Sequence, residues 1–138
     1  MIVTNTAASM GGIVWTILDW RLERKISAVG FCSGAISGLV CITPGSGYVG
    51  TPASLLFGAV GAVATNFATK IKDYIHVDDA LDIFAAHGIA GICGNILTAI
   101  FAQSSVAGFD GSTEIDGGWL DGHFVQLGYQ LADTGKYK

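Results

Sequence analysis

The sequence predicts an all-α membrane protein of about four transmembrane helices plus the short start of a fifth, and three observations predict it. Charge is scarce: 13% of the 138 residues are Asp, Glu, Lys or Arg against 51% hydrophobic, and the mean hydropathy is +0.53. That composition suits lipid as the solvent. Residues 26–69 are a run of 44 with none of those four charged types, about twice the helix length that crosses a ~30 Å hydrocarbon core, so the run has to fold back on itself. The fold-back is written inside it as TPGSGYVGTP at 43–52: prolines and glycines break helices, and a tyrosine suits the bilayer interface.

Taken in order, the first span covers about 1–20, uncharged to Leu18 although Thr4, Asn5, Thr6 and Ser9 make its first half polar. The second and third cover about 29–42 and 53–74, on either side of the turn. A fourth covers about 81–103, after an acidic step, and an outside loop follows at 104–122. A truncated last helix at 123–133 runs into DTGKYK and is too short to cross. The whole of 1–138 reads as one partial domain. Basic residues concentrate on the cytoplasmic side of membrane proteins. Arg21, Arg24 and Lys25 follow the first span and Lys70 and Lys72 the third, on one side of a four-span path, while 43–52 and 104–122 carry neither Lys nor Arg. The loop with Asp110, Glu114, Asp116 and Asp121 is therefore expected outside. Gly30, Gly34 and Gly38 recur every four residues and Gly88, Gly91 and Gly94 every three, small-residue faces that let membrane helices approach closely.

Several function classes drop out. A net charge of -4 with no basic block leaves nothing to track a phosphate backbone, so nucleic acid is not expected as a partner. Cys32, Cys41 and Cys93 lack CxxC spacing and sit in apolar runs, as small buried hydrophobes do. No motif asks for a cofactor, and no secretory signal pattern follows Met1.

The segment DDALDIFAAHGIAGICG, from Asp78, is where chemistry concentrates. Asp79 can cap the fourth helix and Asp82 lies near its positive end, a structural account of both acids. His87 lies one to two turns deeper among Ile83, Phe84, Ala85, Ala86, Ile89 and Ala90. Ionisable groups at that depth usually face a cavity or another polar group, the alternative being a satisfied core histidine. With an α-helical period, Ile83, His87, Gly91 and Asn95 share one face. If that face lines a narrow apolar passage, a neutral ring there offers one donor and one acceptor and can hand on a small polar molecule or a proton. A metal site is not expected, because His76 and His123 fall in loops and no second ligand shares the face. A Ser/His/Asp hydrolase lacks its GxSxG-like turn.

CSGAISGLVCITPGSGYVG followed by KIKDYIHVDDALDIFAAHGIAGICG resembles the later helices of the Amt/Mep/Rh ammonium transporters, most of all the fungal Mep branch, over about 5–133. The resemblance implies helices seven to ten, and the opening of the eleventh, of an eleven-helix inverted-repeat transporter of the plasma membrane that assembles as a homotrimer with one pore per protomer. It implies that His87 is the second of two pore histidines and Ile83 an apolar pore-wall residue, with Asp79 and Asp82 as helix-start acids. It further implies that ammonium is recruited outside and parted from its proton before passage, which avoids most of the several kcal/mol that a bare cation costs at mid-bilayer. The family's first repeat, its first pore histidine and its paired aromatic gate have no counterpart in this sequence. The expectation is therefore a partial gene model, a truncation or a degraded copy that does not conduct alone. A competing expectation is a non-transporting interaction subunit that associates with full-length protomers.

Overall fold

The computed structural model describes residues 1–75, 83–110, 115, 117–122 and 124–135, with the side chains of 72–75, 110, 133 and 134 left aside. Among these residues every regular element is helical: α1 (Ile2–Glu23), α2 (Ala28–Ile42), α3 (Thr51–Ile75), a π-turn at Phe84–Ile89 that runs into α4 (Ala90–Phe101), a short α5 (Ser104–Ala107) and α6 (Val125–Gly135).

Local chemistry explains the joints. α1 ends where Arg24 takes a left-handed conformation at φ 56°, the single non-glycine residue with positive φ among those described. Ser27 then opens α2 by accepting the Gly30 amide on its hydroxyl at 3.3 Å, the usual service of a serine cap to an orphan N–H. The TPG of the turn does not stop α2 abruptly. It tightens the chain into a 3₁₀ turn at Thr43–Gly45, because proline needs no amide partner in the first turn of a helix. Pro52 likewise falls inside the first turn of α3, so the third helix starts two residues before the sequence suggests.

Three helices are long and apolar enough to cross a membrane: Ala28–Gly45, Thr51–Ile71 and Phe84–Phe101. α1 has the length, 22 residues or about 33 Å, but its polar first half and Asp19 keep it out of that group. It packs against both α2 and α3.

What holds the bundle is backbone laid on backbone. A Cβ built at Gly11 meets the Gly34 carbonyl, one at Gly38 meets the Ala7 carbonyl, and one at Gly58 meets Ala7 from the α3 side. The stripe read from the sequence as Gly30, Gly34 and Gly38 thus faces α1 throughout. The second stripe divides. Gly94 is pressed on the carbonyl of Cys41 in α2, Gly88 touches only the ring of Phe84, and Gly91 stands in open space. The core gathers Ala7, Cys41, Ile42, Val49, Phe57 and Ala90, and Phe57 meets Phe101 edge to face at 6.5 Å. Large apolar side chains point outward instead, among them Ile17, Val29, Phe67 and Ile71, each at least half exposed, the reverse of a water-soluble domain.

The two ends of the bundle are marked by polar contacts. Lys70 Nζ lies 3.3 Å from Glu23 Oε1, so the basic segments after α1 and late in α3 meet at one end. At the other end the Gln103 amide donates to the Tyr48 carbonyl at 2.7 Å, and Gly118 donates to Ala102 at 2.8 Å. The turn after α2 and the segment after α4 therefore meet away from the basic residues. Asp121 ties that segment down by accepting from both the amide and the hydroxyl of Ser104, at 3.0 and 3.3 Å.

These contacts predict an asymmetric response to added volume. Gly38→Leu should destabilise the folded chain by about 1–3 kcal/mol, because the facing atom is backbone and cannot swing aside. Gly91→Ala should change stability by no more than about 0.5 kcal/mol. Thermal unfolding of both variants in detergent checks the pair, and equal losses would contradict the packing described.

Candidate functional site

The π-turn is the irregular feature of the fourth helix, and His87 sits inside it. A regular helix would bury residues at intervals of three or four. Here Ala85, Ala90, Gly94, Thr98 and Ala99 are the buried positions, with a gap of five between the first two. One extra residue per turn is what an i→i+5 turn inserts, and such turns are frequent at functional sites. The face Ile83, His87, Gly91 and Asn95, expected as one straight α-helical stripe, is therefore interrupted by the wide turn between His87 and Gly91.

The inward side of this segment is well fixed. Ala85 is 3% exposed and its carbonyl accepts from Thr65 Oγ1 of α3 at 3.5 Å. Gly94 is locked on α2, and Thr98 donates to the Gly94 carbonyl at 2.8 Å. The outward side is uncovered. Ile83 is 53% and Phe84 70% exposed, His87 is exposed, and Ile92 and Ile96 continue the apolar surface along α4. His87 Nδ1 lies 3.3 Å from the carbonyl of Ile83. The arrangement is one imidazole on an apolar face, placed there by small residues behind it. Asp79 and Asp82 lie outside the described residues, as do His76 and His123.

A second polar constellation escaped the sequence reading. Asp19 of α1 is 8% exposed and Asn66 of α3 is 2% exposed, and Asn66 Nδ2 donates to Asp19 Oδ1 at 3.3 Å. Gly30 of α2 is where a side chain would collide with Asp19 Oδ2 and the Trp15 ring. Asn66 Oδ1 is buried with no hydrogen-bond partner among the described residues. An acid four residues before the Glu23 that meets Lys70, facing an asparagine four residues before that lysine, was the available signal. It was easily missed because each residue alone reads as the polar end of a span. The pair ties α1 to α3 near the basic end and offers no opening. A hollow of about 170 Å³ at the opposite end is lined by Tyr48, Thr98, Gln126 and Gln130 among others, with Thr98 eleven residues, or about 16 Å of helix, from His87.

The sequence matches the model of the Ammonium Transporter Family over residues 1–135. It is 56% identical to Ammonium transporter 1 of Schizosaccharomyces pombe over 135 residues, which are 97% of this chain and 27% of that protein. It is 49% identical to Ammonium transporter MEP3 of Saccharomyces cerevisiae, over 96% of this chain and 27% of that protein. The crystal structure of Candida albicans Mep2 superposes with a TM-score of 0.93 at 49% identity, covering 97% of this chain and 30% of that one. Saccharomyces cerevisiae Mep2 gives 0.92 at 42% identity, covering 97% and 30%. The chain thus spans little more than a quarter of the length of the curated relatives it matches.

For the buried pair the expected outcome is coupling. Asp19→Ala and Asn66→Ala should each destabilise, and a double-mutant cycle followed by unfolding in detergent should return an interaction of about 0.6–2 kcal/mol, the range of hydrogen bonds between membrane helices. Strict additivity would show that the two groups act independently.

Proposed function

We propose that this chain, which belongs to the Ammonium Transporter Family, forms part of the wall of a transmembrane pathway for ammonium or ammonia. In that reading His87 is the polar group of the wall and Ile83 its apolar neighbour. The observation that carries it is the placement of a single imidazole on an uncovered apolar face by a π-turn whose other side is locked into the bundle. Ionisable groups inside membrane helices mark substrate paths by default. The names of the relatives, each an ammonium transporter, support the substrate.

The same reading makes α1 a fourth span, since about 33 Å of helix packed against α2 and α3 is long enough to cross. The end with Arg21, Arg24, Lys25 and Lys70 then faces the cytoplasm, Asp79 and Asp82 are structural acids at the start of the fourth helix, and the protein resides in the plasma membrane as a homotrimer. A passage needs a wall on every side, and the described residues place none on the outward side of the His87 face. The activity therefore depends on further helices that close it. Those uncovered apolar faces also favour a second reading, in which the chain binds complete protomers without transporting.

Uptake of ammonium or methylammonium in cells lacking their own transporters separates the possibilities. This chain alone should give none. Joined to the remaining three quarters of the Schizosaccharomyces pombe relative, it should restore uptake, and His87→Ala in that chimera should reduce the rate by about tenfold or more, equivalent to about 1.4 kcal/mol or more on the barrier. Uptake unchanged by His87→Ala would overturn the site. Co-purification with a complete transporter together with loss of its uptake would favour the second reading.

A further inference from the structure

We infer that the basic end of α1 carries a binding site for the phosphate of an anionic phospholipid, formed by Arg21 and Arg24 with Trp20 as its wall, and that the apolar stripe leading to it is the bed for an acyl chain. A hollow of about 270 Å³ opens there, lined by these three residues. The guanidinium groups of Arg21 and Arg24 form no ion pair or hydrogen bond with the described residues. A guanidinium presents its donors in a planar fork that matches phosphate oxygens. Two such forks on one hollow make a receptor for an anion.

α1 divides its charges by side. Asp19 accepts from Asn66 and Glu23 meets Lys70, so both acids of the helix are taken up by α3. Arg21 stands two residues from each of them, about 160° round the helix. The dipole of the helix accounts for one cation in the last turn, and Arg21 supplies it. It does not account for Arg24, which closes the helix in a left-handed conformation at φ 56°. Glycine takes that conformation freely and is the usual residue there, whereas a side chain adds a steric cost. The hollow gives the side chain of Arg24 a use.

The apolar stripe decides between a lipid headgroup and a free phosphate. Ile13, Ile17 and Trp20 are each at least half exposed, and their steps of four and three put them on the helix side that leads to the arginines. From Ile13 to Trp20 is about 10 Å along the axis. A free phosphate leaves that stripe unused, whereas a phospholipid lays an acyl chain on the isoleucines and its phosphate in the hollow. Tryptophan suits the boundary, since its ring sits at headgroup depth. Anionic lipids enrich the cytoplasmic leaflet, where each nearby Lys or Arg strengthens the attraction. A choline headgroup would instead bring its own cation against two guanidinium groups. The choice of leaflet rests on the reading of α1 as a span given above; the hollow and its arginines do not.

The test is native mass spectrometry of this chain in a neutral detergent at fixed ionic strength, titrated with dioleoylphosphatidylserine, dioleoylphosphatidylcholine or inorganic phosphate. Phosphatidylserine should bind about tenfold or more tightly than phosphatidylcholine, and Arg21→Gln together with Arg24→Gln should abolish the difference. Lys25→Gln removes the same charge as either single variant but lies outside the hollow, so it should cost less of the preference than each. Arg24→Gly should unfold in detergent at the same temperature or higher while losing affinity for phosphatidylserine, a split that a merely structural arginine would not show. If that variant does not fold, Arg24→Gln carries the comparison. Equal binding of the two lipids, a preference that survives loss of both arginines, or an effect of Lys25→Gln as large as theirs would overturn the site. Displacement of the lipid by inorganic phosphate, with the same dependence on the arginines, would overturn the lipid as its occupant. None of these outcomes involves uptake, so the site and the transport reading fail independently.

Discussion

Close approach of helix backbones is the constraint on which the rest of this structure depends. In lipid there is little hydrophobic drive for one helix to seek another, so contact is stabilised by packing and by a few hydrogen bonds. This chain meets that condition by placing Gly11, Gly34, Gly38, Gly58 and Gly94 where a neighbouring main chain already lies. The helix crossings become stacks of small residues around a few buried bulky ones such as Phe57 and Ile42, and many large apolar side chains lie at the periphery. Each helix consequently has a committed side and an open side, and His87 stands on the open side of the fourth.

His87 illustrates what that commitment does to local geometry. Ala85 is held to α3 through Thr65 and Gly94 is pressed on Cys41 of α2, and the wide turn lies between Ala85 and the buried Ala90. The added residue changes where the imidazole stands relative to a regular helix. The ring is thereby placed by packing at a distance from it, without a charged partner among the described residues at its side. Asp19 and Asn66 form the counterpart near the basic end. There a buried carboxylate is tolerated because an amide donates to it and because Gly30 leaves space for it. The amide oxygen left over is a cost of order 1–3 kcal/mol that the surrounding packing offsets.

Much of this was legible in the sequence. The uncharged run with its prolines and glycines located the second and third helices and the turn between them, and the glycine period of four identified the side of α2 that meets α1. Charge distribution anticipated which segments meet at each end, as the contacts of Lys70 with Glu23 and of Gln103 with Tyr48 bear out. Three things were not legible, each for a physical reason. The π-turn at Phe84–Ile89 lies between a contact on α3 and one on α2, and no local propensity announces it. The division of the Gly88, Gly91 and Gly94 stripe depends on where a neighbour lies, which periodicity along one helix cannot reveal. Asp19 and Asn66 are 47 positions apart, and each has an ordinary local explanation. The role proposed for His87 comes from resemblance to a known family as much as from its depth in the helix, and Asp79 and Asp82 fall outside the described residues.

The account stands or falls on what covers the open side of the fourth helix. A high-resolution cryo-electron microscopy map of the chain joined to the remaining helices of a fungal relative, in lipid, reads this directly. The expected map keeps the wide turn at Phe84–Ile89 and encloses the His87 ring in a narrow passage between apolar side chains. A map in which that ring faces lipid or bulk water, or in which the segment has relaxed to a regular α-helix, would contradict it.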